Sequence, residues 1–246
     1  MFFKEKRFRK AILLVHGFGG GSYDYGNLGN DLQLYLDFDI FTFTLPGHED
    51  RISGVKREDW LKKAEEQIEN LINHGYKKIY VIGHSMGGVI ACHLARHYPE
   101  VKKLVLAAPA FRYFSFKGDK FDLIGSLKKT PTLFKEYKTD TILSRIFKMP
   151  LSTMLEFIKL VEEHEDDPKY INCPTLIIQG LSDSIVPLDS SLYVYNNIKS
   201  NIKTLVKIKD VTHDIFRNNR YEEIAKIITM FLREKIYLEK PEIIEK

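Results

Sequence analysis

The stretch Ile79–Ala95, "IYVIGHSMGGVIACHLA", decides the fold. An apolar run with strand character passes directly into an apolar run with helical character, and Ser85 stands at the joint among glycines. A serine there can serve as a helix N-cap, accepting the first free amide protons. Gly83 and Gly87, two residues to either side, point further. At both positions a side chain would collide if the backbone turned sharply enough to push the hydroxyl outward at a strained angle. Strand, tight G-x-S-x-G turn and helix together make the arrangement that exposes a nucleophilic serine.

Working outward, five more short, β-branched runs read as strands: "AILLV", "DIFTFTL", "KLVLAAP", "TLIIQG" and "TLVKIK". Between the second and third strands, Trp60, Leu61, Ala64, Ile68, Leu71 and Ile72 form one helical stripe that Gly75 can end. Asp24–Leu36, Ser85–Tyr98, Leu188–Ile198 and Tyr221–Tyr237 also read as helices. Strands joined by helices pair in parallel with right-handed crossovers, so the fold class is α/β with helices on both sheet faces. One connection is longer. About sixty residues separate "LVLAAPA" from "CPTLIIQG", which requires a structured insertion. It holds "LSTMLEFIKLVEEHEDD" and the aromatics Phe111, Tyr113, Phe114, Phe116, Phe121, Phe134, Tyr137, Phe147 and Phe157. These form its own packing face, the underside of a lid over a pocket, or both. The division is 1–110 with 171–246 as core and 111–170 as lid. Apolar lid faces leave open the pairing of two copies as a homodimer.

Composition narrows the function. The chain has 246 residues, 44% of them hydrophobic, and a net charge of +4 with lysines dispersed among glutamates. That balance speaks against a nucleic-acid partner and for solvated faces. No run has transmembrane length, and the basic start is too short in apolar residues for a secretion signal. Cys92 and Cys173 make no disulfide framework, so a cytoplasmic location is expected.

A serine hydroxyl needs a base and an orienting acid. Of the eight histidines, His213 in "DVTHDIF" follows the last strand and therefore lies on the carboxyl edge of the sheet, where Ser85 also emerges. Asp183, in "TLIIQGLSDSIVP", leaves the same edge from another strand; Asp210 and Asp214 are too close to His213 in sequence to reach its far ring nitrogen easily. Two backbone amides must face the developing oxyanion. Met86 at the helix start supplies one, and Phe18 in "VHGFGGGS" the other. That loop lacks the spacing of a phosphate-binding or dinucleotide-binding loop. His93 and His97 have the i, i+4 spacing of zinc ligands, but "HLARH" lacks the glutamate of H-E-x-x-H and reads as a solvated helix surface, so no metal and no cofactor are expected.

"HGFGG", "GHSMGG", "GLSDSIVP" and "THDIF" resemble the α/β-hydrolase superfamily, and the chain as a whole is similar to small bacterial carboxylesterases related to monoacylglycerol lipases. The resemblance implies Ser85 as nucleophile, His213 as general base and then acid, Asp183 as its orienter, and the Phe18 and Met86 amides as oxyanion hole. Thr212 stands where relatives often carry glycine or aspartate, and the usual opening strand pair is missing or reduced to "FFKEKRF". The expected activity is hydrolysis of small carboxylic esters with short to medium apolar acyl groups, through an acyl-enzyme. Alternatives are the same triad acting on a feruloyl or aryl ester, thioester, amide or carbon–carbon bond, or a non-catalytic binding relative.

Overall fold

The computed structural model describes residues 9–49, 54–112, 116–117, 120–121, 149–233 and 242–246. Among these residues the six predicted strands all form: β1 (Arg9–Val15), β2 (Asp39–Thr42), β3 (Tyr76–His84), β4 (Val101–Ala107), β7 (Thr175–Gly180) and β8 (Lys203–Ile208). A two-residue hairpin, β5 (Phe116–Lys117) with β6 (Lys120–Phe121), lies in the insertion, and β9 (Glu242–Glu245) follows near the end of the chain. The main sheet has the order β2-β1-β3-β4-β7-β8-β9, with every neighbouring pair parallel.

Side-chain alternation divides the core between the two sheet faces. Leu13, Val81, Leu106 and Ile177 pack on one side with α2 (Arg57–Asn73), α3 (Met86–His97), α4 (Leu151–Glu163) and α5 (Leu188–Asn197). Ile12, Leu14, Tyr80, Ile82, Val105 and Ile178 pack on the other with α1 (Leu28–Tyr35) and α6 (Tyr221–Leu232). Burial on both faces explains why β7 is buried at all six positions, as a central parallel strand requires.

Three boundaries differ from the sequence reading. The segment Asp24–Leu36 is not one helix: a 3-10 turn, Ser22–Tyr25, precedes α1, and Gly26 breaks between them at φ 52°. The second strand stops at Thr42 because Phe43–Leu45 turn inward, and Leu45 gives its amide proton to His16 Nε2 at 2.9 Å. The strand β9 has no counterpart in the sequence reading. The last helix ends at Leu232, while 234–241 lie outside the described residues, as do "FFKEKRF", Tyr113, Phe114, Phe134, Tyr137 and Phe147. Phe111 and Phe157 are described, and both are buried. No described helix is long and apolar enough to cross a membrane.

Candidate active site

Ser85 occupies the turn between β3 and α3 at φ 56°, ψ −120°, a conformation that L-residues rarely adopt. Its surroundings hold it there. The Ser85 amide donates to the Ala107 carbonyl at 2.9 Å, and its own carbonyl accepts from Gly88 and Ala110. The two flanking glycines are needed for close approach rather than flexibility: a Cβ on Gly83 would lie 2.3 Å from the Gly87 carbonyl oxygen, and one on Gly87 only 1.9 Å from that of Val15. The helix start is thereby pressed against the end of β1.

Because the sheet is parallel, the loops after β3, β7 and β8 all open on one edge. The Ser182 amide donates to Val211, joining the two loops that carry Asp183 and His213. His213 Nδ1–H then donates to Asp183 Oδ2 at 2.7 Å, with only 1% of either side chain exposed. The Asp183 carboxylate is fully engaged. Oδ1 accepts from the Ile185 and Val186 amides at 2.8 and 2.9 Å, and Oδ2 also accepts from Gln179 Nε2 at 3.1 Å. Gln179 is itself fixed by Ser191, whose hydroxyl donates to Oε1 at 2.7 Å.

His84, next to the serine, reaches across to the same loop. Its Nε2–H donates to the His213 carbonyl at 2.9 Å, and the two rings lie 4.8 Å apart. Burial, reinforced by His213, lowers the His84 pKa to about 4, so the ring is neutral near pH 7 and acts as a strut between the serine turn and the histidine loop. Tyr25 plays a comparable part beneath the loops, donating bifurcated bonds to the carbonyls of Val15 and Ile82 and holding the ends of β1 and β3 together.

The loop after β1 rests on aromatic rings. Phe18 stacks on Phe157 of α4 at 5.0 Å and 14°, and meets Trp60 and His48 edge-on. Trp60 Nε1–H donates to the Pro46 carbonyl at 3.0 Å, which anchors the stack from below. Neither the Phe18 nor the Met86 backbone amide donates to an acceptor among the described residues. Two free donors thus stand on the loops that flank Ser85.

The structure therefore brings together Ser85 with the loops of Asp183 and His213, and sets the Phe18 and Met86 amides beside them. Asp210 lies in the turn after β8 at φ 58°, and Asp214 pairs with Arg217 at 2.9 Å; neither is hydrogen-bonded to His213 Nδ1. The sequence reading missed Gln179, His84 and Tyr25. Gln179 stands within a strand, and a polar residue in an otherwise continuous apolar run was the available signal. The Tyr25 signal was absent, because its partners are backbone carbonyls.

Residues 10–124 match the α/β hydrolase fold family, and residues 117–220 match a hydrolase family described as serine aminopeptidase S33. A carboxylesterase from Bacillus subtilis is 24% identical over 91% of this chain and 92% of its own length. A thermostable monoacylglycerol lipase from a Bacillus species is 26% identical over 82% of each chain. Among solved structures, the monoacylglycerol lipase of Paleococcus ferrophilus superposes with a TM-score of 0.70 over 92% of this chain and 96% of its own, at 23% identity, a likeness of fold. With the α/β hydrolase fold family matched over residues 10–124 and a parallel sheet that turns sharply at Ser85, the chain has the α/β-hydrolase fold.

Proposed function

We propose that this protein is a serine hydrolase that cleaves small carboxylic esters with short to medium apolar acyl groups. The observation that carries the reading is the strained Ser85 turn on the same sheet edge as the buried His213–Asp183 pair. Ser85 Oγ attacks the ester carbonyl as its proton passes to His213 Nε2, and the oxyanion is held by the Phe18 and Met86 amides. His213 returns the proton to the departing alcohol. Water, deprotonated in turn by His213, then releases the acid and restores Ser85. Asp183 keeps the Nδ1–H tautomer, without which Nε2 has no lone pair for the serine proton. The similar carboxylesterase and monoacylglycerol lipase support ester substrates.

Residues 111–170 act as the lid in this proposal. Support comes from α4, which reaches the oxyanion loop through Phe157 and is tied to α2 by Arg57, paired with Glu156 at 2.9 Å and Glu163 at 2.6 Å. A cytoplasmic location is consistent with the unpaired Cys92 and Cys173.

The test is hydrolysis of p-nitrophenyl esters from acetate to palmitate, with matched anilides and thioesters and Ser85→Ala protein alongside. Serine-dependent turnover peaking at short or medium esters is expected, with Ser85→Ala lowering kcat on the order of a millionfold. Near-parental turnover by Ser85→Ala would refute the assignment, and a preference for anilides would move the substrate class to amides.

A further inference from the structure

A second cluster of titratable side chains lies two turns along α3 from Ser85. His93 is buried at 7% exposure, and its Nε2 is 2.7 Å from Glu65 Oε1 on α2. Nε2 donates the ring proton to Glu65. Nδ1 is then left with a lone pair. That nitrogen is buried without a hydrogen-bond partner, and it faces Asp167 Oδ2 at 3.9 Å. Two acceptors thus confront each other across a gap that holds no donor proton.

The rest of the cluster comes from the foot of α4. His164, its C-cap residue, has Nδ1 2.8 Å from the same Asp167 oxygen, and its ring lies 4.9 Å from that of His93. Asp167 is 1% exposed, and its other oxygen is occupied by Arg96 at 2.7 Å. One ligand atom from each of His93, His164 and Asp167 lies within 4.8 Å of the other two.

We propose that His93, His164 and Asp167 bind a divalent cation of the zinc class. An ion about 2.0–2.2 Å from each donor needs donor separations of about 3.3–3.5 Å in tetrahedral geometry. The observed 2.8 and 3.9 Å to Asp167 bracket that range and the two histidine donors lie within 4.8 Å of each other, so adjustments of roughly 1.5 Å or less close the site. His164 presents Nδ1 to the ion once its proton resides on Nε2. Two imidazoles with one carboxylate favour zinc and its transition-metal neighbours over magnesium or calcium. Glu65 holds the far nitrogen of His93, as carboxylates commonly do behind metal-bound histidines, and Arg96 fixes the Asp167 rotamer. With Glu65 and Asp167 negative and Arg96 positive, the cluster carries a net negative charge that a cation relieves, and the His97 ring lies 4.5 Å from that of His93. An i, i+4 search of α3 misses this site, because two of its ligands arrive from beyond residue 163.

The bound ion joins α3 to the foot of α4. The test uses the full chain, stripped with EDTA and titrated with Zn2+ by calorimetry and with Co2+ by visible absorption. One equivalent of Zn2+ is expected to bind and raise the melting temperature by several degrees, and Co2+ to give the intense bands of a four-coordinate site. His93→Gln and His164→Gln should each abolish that equivalent, while Glu65→Gln weakens binding about 10- to 100-fold. His164 is partly exposed, so His164→Gln with unchanged metal-free melting serves as the folding control. No saturable binding by the parent, or one equivalent that survives both His93→Gln and His164→Gln, would overturn the proposal.

Discussion

Replacing Asp183 with asparagine tests the site at its most constrained point. The carboxylate accepts from four donors, and an amide can satisfy only part of that set. If the Asn amide nitrogen faces the Ile185 and Val186 amides, two buried backbone donors lose their acceptor, at about 1–3 kcal/mol each. If it faces His213 instead, the backbone bonds survive and the conflict falls on Gln179, which also donates to the Gly180 and Val186 carbonyls and so retains partners. The second arrangement costs less and should prevail. It forces His213 to accept at Nδ1 and carry its proton on Nε2, facing the serine, so the base is lost while the fold persists. The expected outcome is a fall in kcat on the order of 10⁴, equivalent to about 5.5 kcal/mol of transition-state stabilisation. The melting temperature should fall by only a few degrees, at roughly 2–4 °C per kcal/mol for a chain of this size. The assay pairs kcat on p-nitrophenyl butyrate at pH 7.5 with thermal unfolding by circular dichroism. A kcat within tenfold of the parent would refute the role given to Asp183, and a melting loss above about 15 °C would refute the balance drawn between the two amide orientations.

Two further outcomes follow from packing and burial. Gly87→Ala places a Cβ 1.9 Å from the Val15 carbonyl, where only backbone can yield, and should destabilise the chain by about 3 kcal/mol or more as read from urea unfolding; a change under 1 kcal/mol would contradict the close approach of α3 to β1. His48, lowered by burial and by neighbouring His16, and His84, lowered by burial and by His213, each have folded-state pKa values of about 4. Because the unfolded chain binds these protons more readily, with a pKa near 6.5, stability is fully present above pH 6.5 and is lost as pH falls from there toward 4. Each ring contributes on the order of 3 kcal/mol across that window. A urea midpoint flat between pH 7 and 4.5 would show that these rings are not buried as described.

The sheet and the candidate triad were legible because both rest on local chemistry. Apolar runs such as "TLIIQG" are buried on both faces and carry no polar alternation to mislead, and the Ser85 turn needs glycines that stand out in the sequence. Chain order then selected Asp183 over Asp214, and the 2.7 Å bond to His213 agrees with that choice. What stayed illegible depends on distant partners. Gly26 breaks the segment Asp24–Leu36 at φ 52°, packed beside the Phe216 carbonyl from far along the chain. Strand β9 is only four residues long and its partner is β8, so nothing near "EIIE" announces it. The His93–Asp167 approach spans helices that share no sequence pattern.

The pairing of β4 with β7 also bears on how the protein is made. Strands β1 to β4 lie side by side and are complete by residue 107, whereas β7 joins them only after the chain has run through residues 108–174. On a ribosome the N-terminal half can collapse around Ser85 while Asp183 and His213 are still untranslated. On the proposed reading the serine turn can then form before its base is made, and a chain arrested before β8 would hold Ser85 with no His213 to accept its proton. Closing the long loop between β4 and β7 is the step on which the timing of activity would turn.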